Sequence, residues 1–226
     1  MRLDKFLVES GLGSRSQVRQ LLKKGQVWVN GAAVTSAKTQ IDEWSDQIVV
    51  DGQPLVYEKF VYYLLNKPKG VISATEDDRH KTVLDLLDDT ARQKEVFPVG
   101  RLDVDTHGLL LLTNNGQLSH AMLSPKRHVA KVYQAHVAGL MDQADVERFA
   151  QGIELKDFTC QPAQLEIIER NEGAKTSLVR ITLSEGKFHQ VKRMVLACGK
   201  EVTDLSACLW GLSSLIQVWN WANGGA

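Results

Sequence analysis

The sequence predicts an α+β protein made of a small N-terminal unit and a larger domain around a mixed, largely antiparallel sheet. Segments with alternating apolar residues, as in strands, are grouped along the chain with only occasional helical segments between them. The first forty residues differ in charge from the rest, because seven lysines and arginines occur there against two acids. We therefore divide the chain into a unit at 1–42, a linker at 43–59 and a larger domain at 60–226.

Composition is that of an ordinary water-soluble globular protein. Of the 226 residues, 43% are hydrophobic and 24% are charged, and the formal net charge is zero, so only local charge can indicate a nucleic-acid partner. The first ten residues are too charged for a signal peptide, and the leucine run at 109–112 is too short to span a bilayer. Three widely spaced cysteines without a CxxC pair are typical of reduced thiols. We expect a cytoplasmic protein with no membrane partner.

Two short helices are predicted at the N-terminus. Apolar residues on one face of 3–7 predict a helix that ends near Gly11. Ser14 or Ser16 can cap a second helix, which stops at Gly25.

The second helix carries a basic stripe, and a hairpin follows it. Arg15, Arg19 and Lys23 recur every fourth residue and so share one face. Asn30-Gly31 is a strong signal for a two-residue hairpin turn. Two helices and a hairpin with basic side chains on one side favour nucleic-acid binding, although the spacing is equally consistent with a solvated helix face.

The larger domain mixes predicted strands with short helices. Its first strand lies in "FVYYLLNKPKGVIS", where "NKPKG" is predicted to be a loop because the residue before a proline avoids helical geometry. Further strands are predicted at 96–99, 109–113, 132–137, 163–168 and 178–183. Helical segments are predicted at 83–87, between Gly116 and Pro125, at 144–151 and at 189–199.

The stretch "GRLDVDTHGLLLLTNNG", from Gly100 to Gly116, places Arg101, Asp103 and Asp105 directly before four leucines. The leucines must be buried, which draws the charged loop toward the interior. A buried carboxylate is costly unless it is paired or hydrogen-bonded. We expect one aspartate to face a cleft while the other serves the loop itself.

Two further stretches carry candidate site residues. "SEGKFHQVKRM" has a basic cluster with a histidine near a helix start, and in "SPKRHVAKVYQAHV" the side chains of Lys131 and Tyr133 point the same way along a strand. An aspartate nucleophile, a cationic partner and an aromatic platform would suit chemistry on an unstacked base. Each stretch alone also fits a surface ion pair or a solvated cluster. Neither metal-ligand spacing nor a phosphate-binding glycine loop occurs, so we predict no metal and no cofactor.

The N-terminal stretches "RLDKFL" and "SRSQVRQLLKKGQVWVNG" closely resemble the S4 (αL) RNA-binding domain. Such a module binds through phosphate contacts that tolerate different sequences and weaken with salt. The resemblance implies that RNA is contacted by Arg15, Arg19, Lys23 and Lys24.

Three stretches in the larger domain, "LNKPKGVIS", "GRLDVDTHGLLLLTNNG" and "EGKFHQVKRM", resemble in this order the motifs of the RsuA/RluB/RluE/RluF-type pseudouridine synthases. The resemblance extends from Met1 to about Leu205, and "SPKRHVAKVY" is most similar to the small-subunit branch. These enzymes isomerise uridine within RNA without cofactor or metal. The resemblance implies a monomer that modifies 16S rRNA, at position 516 in rRNA numbering, either as naked RNA or in a small-subunit assembly intermediate.

The resemblance also implies roles for individual residues. Asp103 matches the catalytic aspartate, as nucleophile or as the group that initiates glycosidic cleavage, and Lys192 matches its basic partner. Tyr133 matches the tyrosine that stacks near the target base. Asp105 and Thr106 are assigned to the shape of the loop. The remaining implied contacts with substrate or RNA come from Arg101, which could help to flip the uridine, from Leu183 beneath the base, and from Lys187, His189 and Arg193.

The C-terminal residues 205–226 depart from the family pattern, because no charged residue follows Asp204 and three of the five tryptophans lie there. A shift of the reading frame near Leu205 is one explanation, and a genuine apolar C-terminus is the other. The open alternatives for function are a large-subunit rRNA synthase, a non-catalytic RNA-binding assembly factor and, least supported, a glycoside hydrolase.

Overall fold

The computed structural model describes residues 1–55, 57–124 and 127–210, without the side chains of Leu209 and Trp210. The chain forms two compact units, one from Met1–Val61 with Leu87–Val96 and one from Tyr62–Leu86 with the chain from Phe97 onward. In the described residues, no helix is long and apolar enough to cross a membrane.

The described part of the first unit combines short helices with a small antiparallel sheet. Its helices are α1 (Leu3–Glu9), α2 (Arg15–Lys23) and α3 (Asp89–Gln93). Its strands, in the sheet order β2–β1–β3–β4, are β1 (Val27–Val29), β2 (Ala32–Ala33), β3 (Ile48–Val50) and β4 (Gln53–Pro54). α1 and α2 pack on this sheet through one apolar core.

α2 begins with a cap at Ser14 rather than at Ser16. The Ser14 hydroxyl accepts a hydrogen bond from the Gln17 amide, and the Gln17 side chain accepts one from the Ser14 amide at 2.7 Å. This reciprocal arrangement satisfies amides that the first helical turn leaves unpaired. Val18 and Leu22 are buried, and the opposite side of α2 is exposed.

The first unit is larger than the sequence predicted. β3 and β4 lie in the expected linker at 43–59, yet β3 pairs with β1. Residues 87–96 also belong to this unit, because Lys94 Nζ donates hydrogen bonds to the backbone carbonyls of Glu9 and Glu58. The boundary therefore lies near residue 61 rather than residue 42. The sequence predicts a short strand between 43 and 58 with a turn at Asp51-Gly52, but so short a strand does not indicate that it pairs with β1.

The second unit contains a mixed, seven-stranded sheet in its described residues, as predicted. The strands are β5 (Tyr62–Lys67), β6 (Phe97–Pro98), β7 (His107–Thr113), β8 (Lys131–Ala138), β9 (Gln164–Asn171), β10 (Thr176–Leu183) and β11 (Glu201–Trp210). They follow the order β5–β7–β11–β8–β10–β9, with β6 also paired to β7. The helices are a 3₁₀ turn (Val83–Leu86), α4 (Gly116–Leu123), α5 (Gln143–Gln151) and α6 (Gln190–Ala197). Only the β7–β11 pairing is parallel within this described sheet.

β11 occupies the middle of the sheet and was not predicted. It runs parallel to β7 and antiparallel to β8, with register shifts between Val202 and Asp204 and between Ala207 and Leu209. Such irregularities break the period-two alternation by which strands are recognised in a sequence. Residues 205–210 of the atypical C-terminus thus continue a central strand, whereas 211–226 lie outside the described residues.

The leucine run forms β7 and is only partly as buried as predicted. Leu110 and Leu112 are buried, whereas Leu109 and Leu111 on the opposite face are half-buried. Leu111 packs against an apolar cluster that includes residues of α4. The strand therefore has cover on both faces, and it anchors the C-terminal end of the charged loop before it.

Gly108, at the start of β7, is required by the close approach of β11. Its φ is +106°, and a Cβ there would collide with the backbone oxygen and nitrogen of Ala207. An added side chain would therefore strain Gly108 itself and also separate the two strands.

Gly108→Ala is predicted to lower the free energy of unfolding by about 2–4 kcal/mol, because strain and steric overlap act together. Chemical denaturation monitored by circular dichroism measures the change. The matched control is Gly116→Ala in the first turn of α4, where an added Cβ meets open space. That control should be neutral or slightly stabilising, and equal losses in both variants would contradict the interpretation.

Candidate active site

A cleft of about 810 Å³ opens in the second unit beside the charged loop that precedes β7. It adjoins a smaller pocket at the start of α6. Of the predicted site residues, the cleft and pocket together are lined by Arg101, Asp103, Tyr133, Leu183, Lys187, His189 and Lys192. Residues that are far apart in the sequence are thus brought together in one place.

Asp103 and Lys192 form the ion pair expected from the sequence. Lys192 Nζ lies 3.2 Å from Asp103 Oδ2, and both side chains are largely buried. Lys192 also contacts Asp105 Oδ1 at 2.5 Å, so Asp105 is a second partner of the lysine and not only a loop residue. Burial alone would lower the pKa of Lys192, but the two carboxylates outweigh it and hold that pKa above its usual value. The lysine therefore stays positively charged.

His189 reaches the other oxygen of the same carboxylate. Its Nε2 lies 3.5 Å from Asp103 Oδ1. The Asp103 carboxylate is therefore flanked by a lysine on one oxygen and an imidazole on the other. Both oxygens of this carboxylate thus have a polar side chain within 3.5 Å.

The loop that carries Asp103 is held through its backbone by the "NKPKGVIS" segment. Lys67 Nζ donates to the Thr106 carbonyl at 2.7 Å, and the Gly70 amide donates to the Val104 carbonyl at 2.7 Å. Nearer the start of the loop, the Ser73 hydroxyl bonds to both the amide and the carbonyl of Leu102, each at 3.0 Å.

Alternate residues of this loop therefore have different partners. The even-numbered residues 102, 104 and 106 bond to the 67–73 segment through their backbone. Asp103 and Asp105 contact Lys192 instead. The Thr106 amide donates to the Asp103 carbonyl at 3.1 Å, so residues 103–106 form a turn, and this turn brings both carboxylates to one lysine.

Lys67 contacts the loop of the site and was not predicted from the sequence. Its side chain is fully buried, and its Nζ also donates to the Pro68 carbonyl at 3.0 Å. Burial lowers the pKa of Lys67, while the negative charges of Asp103 and Asp105 oppose that shift. The sequence feature that could have indicated a buried Lys67 is its position at the end of an apolar strand, directly before a proline. Lysine is almost never fully buried without a partner.

A second ion cluster joins three segments near the loop. Asp204 on β11 pairs with Lys69, and its Oδ2 lies 3.0 Å from His107 Nε2. The hydrogen bonds from His107 and from Lys69 hold the pKa of Asp204 below its usual range. The cluster connects the "NKPKG" loop, the start of β7 and the central strand.

Tyr133 and Lys131 both line the cleft, as the alternation along β8 predicted. Burial, with a further contribution from the charge of Asp103, raises the pKa of Tyr133 to about 12, so its hydroxyl stays protonated at neutral pH. Burial lowers the pKa of Lys131, and Glu185 opposes that shift. Leu183 lies across from Lys131 on β10 and is buried in the floor of the pocket.

Arg193 is not among the residues that line the cleft or the pocket. It pairs with Asp157, and its guanidinium lies 5.1 Å from the centre of the Phe158 ring. Lys187 approaches the same ring at 5.7 Å and also lines the cleft. In the first unit, the predicted RNA contacts Arg15, Arg19, Lys23 and Lys24 are all exposed on and just after α2.

No group of three or more histidine, cysteine or acidic side chains is close enough to hold a metal ion in the part of the chain that the structure describes. The polar groups around Asp103 include the Lys192 ammonium, the His189 imidazole and the Asp105 carboxylate. This set supports acid–base or nucleophilic chemistry by the aspartate itself.

Comparison with known proteins identifies the class of enzyme to which this site belongs. Residues 61–197 match the family model of RNA pseudouridylate synthases, and residues 1–54 match that of the S4 domain. The chain belongs to the RNA pseudouridylate synthase family, in a form with an N-terminal S4 domain.

Individual relatives agree over nearly the whole chain. An uncharacterized RNA pseudouridine synthase of Bacillus subtilis is 43% identical, covering 95% of this chain and 90% of the relative. Ribosomal small subunit pseudouridine synthase A of Escherichia coli is 39% identical (91% and 87%), and ribosomal large subunit pseudouridine synthase B of Bacillus subtilis is 38% identical (90% and 83%). A crystal structure of a pseudouridylate synthase superposes with a TM-score of 0.59 at 36% identity, covering 91% and 86%.

Lys67→Met is predicted to lower turnover by about 10–100-fold, because the Thr106 carbonyl loses its donor and small displacements of a reacting group are costly. Release of tritium from RNA labelled at uridine C5 measures turnover, and circular dichroism confirms folding. Lys69→Met is the control, since it removes a half-exposed ion pair with Asp204 that is worth about 0–1 kcal/mol. A folded Lys67→Met enzyme with wild-type turnover would show that this lysine does not position the loop.

Proposed function

We propose that this protein isomerises uridine to pseudouridine in ribosomal RNA, with Asp103 as the catalytic residue. The observation that carries the proposal is the Asp103 carboxylate at a cleft, flanked by Lys192 and His189, inside the domain that matches the synthase family. The names of the relatives support rRNA as the substrate.

The reaction breaks the bond between C1′ of the ribose and N1 of uracil, and it forms a bond between C1′ and C5 of the same base. The carboxylate of Asp103 either attacks C1′ or removes a proton to start the cleavage. Both routes need an ionised aspartate, and Lys192 opposes the cost of keeping that charge in a partly buried site. The proton on C5 leaves to solvent and N1 gains one, so the product is an isomer of the substrate.

Other cleft residues have complementary roles in the proposal. The neutral Tyr133 side chain offers a flat surface for the uracil, and Leu183 packs beneath it. Arg101 is exposed at the cleft and helps to hold the flipped nucleotide. Removal of a base from its stack costs a few kcal/mol, and these contacts offset that cost. Lys187 contributes positive charge along the RNA path, and the His189 imidazole lines the same cleft.

The S4 domain contributes affinity. Its candidate contacts Arg15, Arg19 and Lys23 lie on one exposed face of α2, with Lys24 directly after the helix. Phosphate contacts of this kind add binding energy without selecting a sequence. Lys24 and its neighbours thus increase the affinity for RNA. Selection of the target uridine is the role of the catalytic domain.

Asp103→Asn is predicted to abolish turnover, by about 10³-fold or more, while RNA binding persists, because the amide is isosteric but cannot act as nucleophile or base. Tritium release and a filter-binding titration measure the two properties. Asp105→Asn is the matched control: it has the same substitution, the same loop and the same lysine contact. Its turnover should stay within about ten-fold of wild type. Full tritium release by Asp103→Asn would remove this residue from the catalytic role.

The proposal also specifies which ribosomal subunit contains the modified rRNA. We propose 16S rRNA, at position 516, because the "SPKRHVAKVY" segment is most similar to the small-subunit branch; the large-subunit relative supports 23S rRNA as the second candidate. Pseudouridine mapping in a strain that lacks the gene is predicted to show the loss of this one modification from 16S rRNA. Restoration by the wild-type gene, but not by Asp103→Asn, completes the test. Loss of a 23S modification instead would assign the chain to the large subunit.

The intact catalytic cluster argues against a non-catalytic assembly factor. A protein that only binds RNA gains nothing from Asp103, Lys192 and a fully buried Lys67 held together, because such an arrangement is costly for stability. Groups of this kind concentrate at sites that perform chemistry.

A further inference from the structure

Phe188 projects from the loop before α6 with 74% of its surface exposed, although it is a large apolar residue. It lines the cleft that also contains Asp103. Val104 and Leu123 line the same cleft and are 46% and 40% exposed. These three exposed apolar residues line a cleft that also holds charged side chains, and exposed apolar surface of this kind marks binding sites.

The Phe188 ring is supported by the residue that follows it. The Phe188 and His189 rings are stacked, with centroids 3.8 Å apart and planes inclined by 17°. His189 covers one face of the phenyl ring, and the exposure of Phe188 leaves the opposite face to solvent.

The backbone conformation of His189 is unusual. It precedes α6 with φ 49°, in the left-handed region that non-glycine residues seldom adopt, and its side chain makes no capping hydrogen bond. Instead the imidazole contacts Asp103 on one side and Phe188 on the other. Strained backbone of this kind clusters at functional sites. At this position the stacked rings of Phe188 and His189 both line the cleft.

The residues around Phe188 indicate which kind of ligand would bind there. An open aromatic face is a good surface for a flat nucleobase, and such stacking tolerates any base. Arg101 and Lys187 line the same cleft and suit the phosphodiester groups on either side of that base. An apolar peptide would match the phenyl ring but would leave these cations without partners.

We propose that Phe188, supported by His189, is the stacking platform for the base next to the target uridine. When the uridine leaves its stack, its neighbour loses a stacking partner, and the open face of Phe188 replaces it. This inference rests on the proposed function, since it assigns a second nucleotide of the same RNA to the same cleft. Phe188 thereby contributes to RNA affinity without contacting the reacting atoms.

The test compares Phe188→Ala with Phe188→Tyr and Phe188→Leu on an rRNA fragment that contains the uridine identified by mapping. Loss of the platform is expected to raise KM by roughly ten-fold in the Ala and Leu variants and to leave single-turnover kcat within about three-fold. Phe188→Tyr keeps the aromatic face and should match the wild type. Leu196→Ala is the control, since Leu196 is 65% exposed on α6 but does not line the cleft.

A 2-aminopurine base placed next to the target uridine reports stacking directly. Its fluorescence should be quenched on binding to the wild type and to Phe188→Tyr, and much less on binding to Phe188→Ala. Unchanged KM and quenching in Phe188→Ala would overturn the platform. A lower kcat with unchanged KM and quenching would also overturn it, because Phe188 would then act only by positioning His189 and Asp103. Wild-type protein without tritium release would instead refute the proposed function.

Discussion

The position of Asp103 depends on hydrogen bonds made by the backbone of its own loop. Lys67, Gly70 and Ser73 hold the even-numbered residues 102, 104 and 106, so the two aspartates between them meet Lys192. The Asp103 side chain is therefore placed by groups that bond to the backbone of its neighbours in the loop. A change in the 67–73 segment acts on the reaction through the loop, and its effect on turnover can exceed its effect on stability.

Charge balance explains how the site tolerates so much burial. Lys67 lies on one side of the loop and Lys192 on the other, and both feel the charges of Asp103 and Asp105. For Lys67 the cost of burial prevails and lowers the pKa, whereas for Lys192 the direct contacts with carboxylates prevail and raise it. The difference follows from the partners, because Lys67 donates to neutral carbonyls and Lys192 to ionised oxygens. Charge-assisted hydrogen bonds are roughly twice as strong as neutral ones.

Much of this arrangement could be predicted from the sequence, and the exceptions have physical causes. The Asp103–Lys192 pair followed from a family resemblance, and the common side of Lys131 and Tyr133 followed from strand alternation alone. Lys67 was missed because its role depends on a backbone carbonyl 39 residues away, which no local pattern encodes. Phe188 was missed because an exposed aromatic residue in a polar segment looks like any loop residue until a cleft is formed around it.

The start of the atypical C-terminal sequence is explained by its position in the central strand β11, which its composition alone does not reveal. β11 lies between β7 and β8, with Leu205 and Ala207 buried in the sheet. Gly108 brings β7 so close to Ala207 that even a Cβ on β7 would not fit. Leu205 and Ala207 are buried, so the apolar start of the atypical segment fits the sheet. A lysine or arginine at Leu205 would line the pocket that contains Asp103 and would compete with Lys192 for its carboxylate.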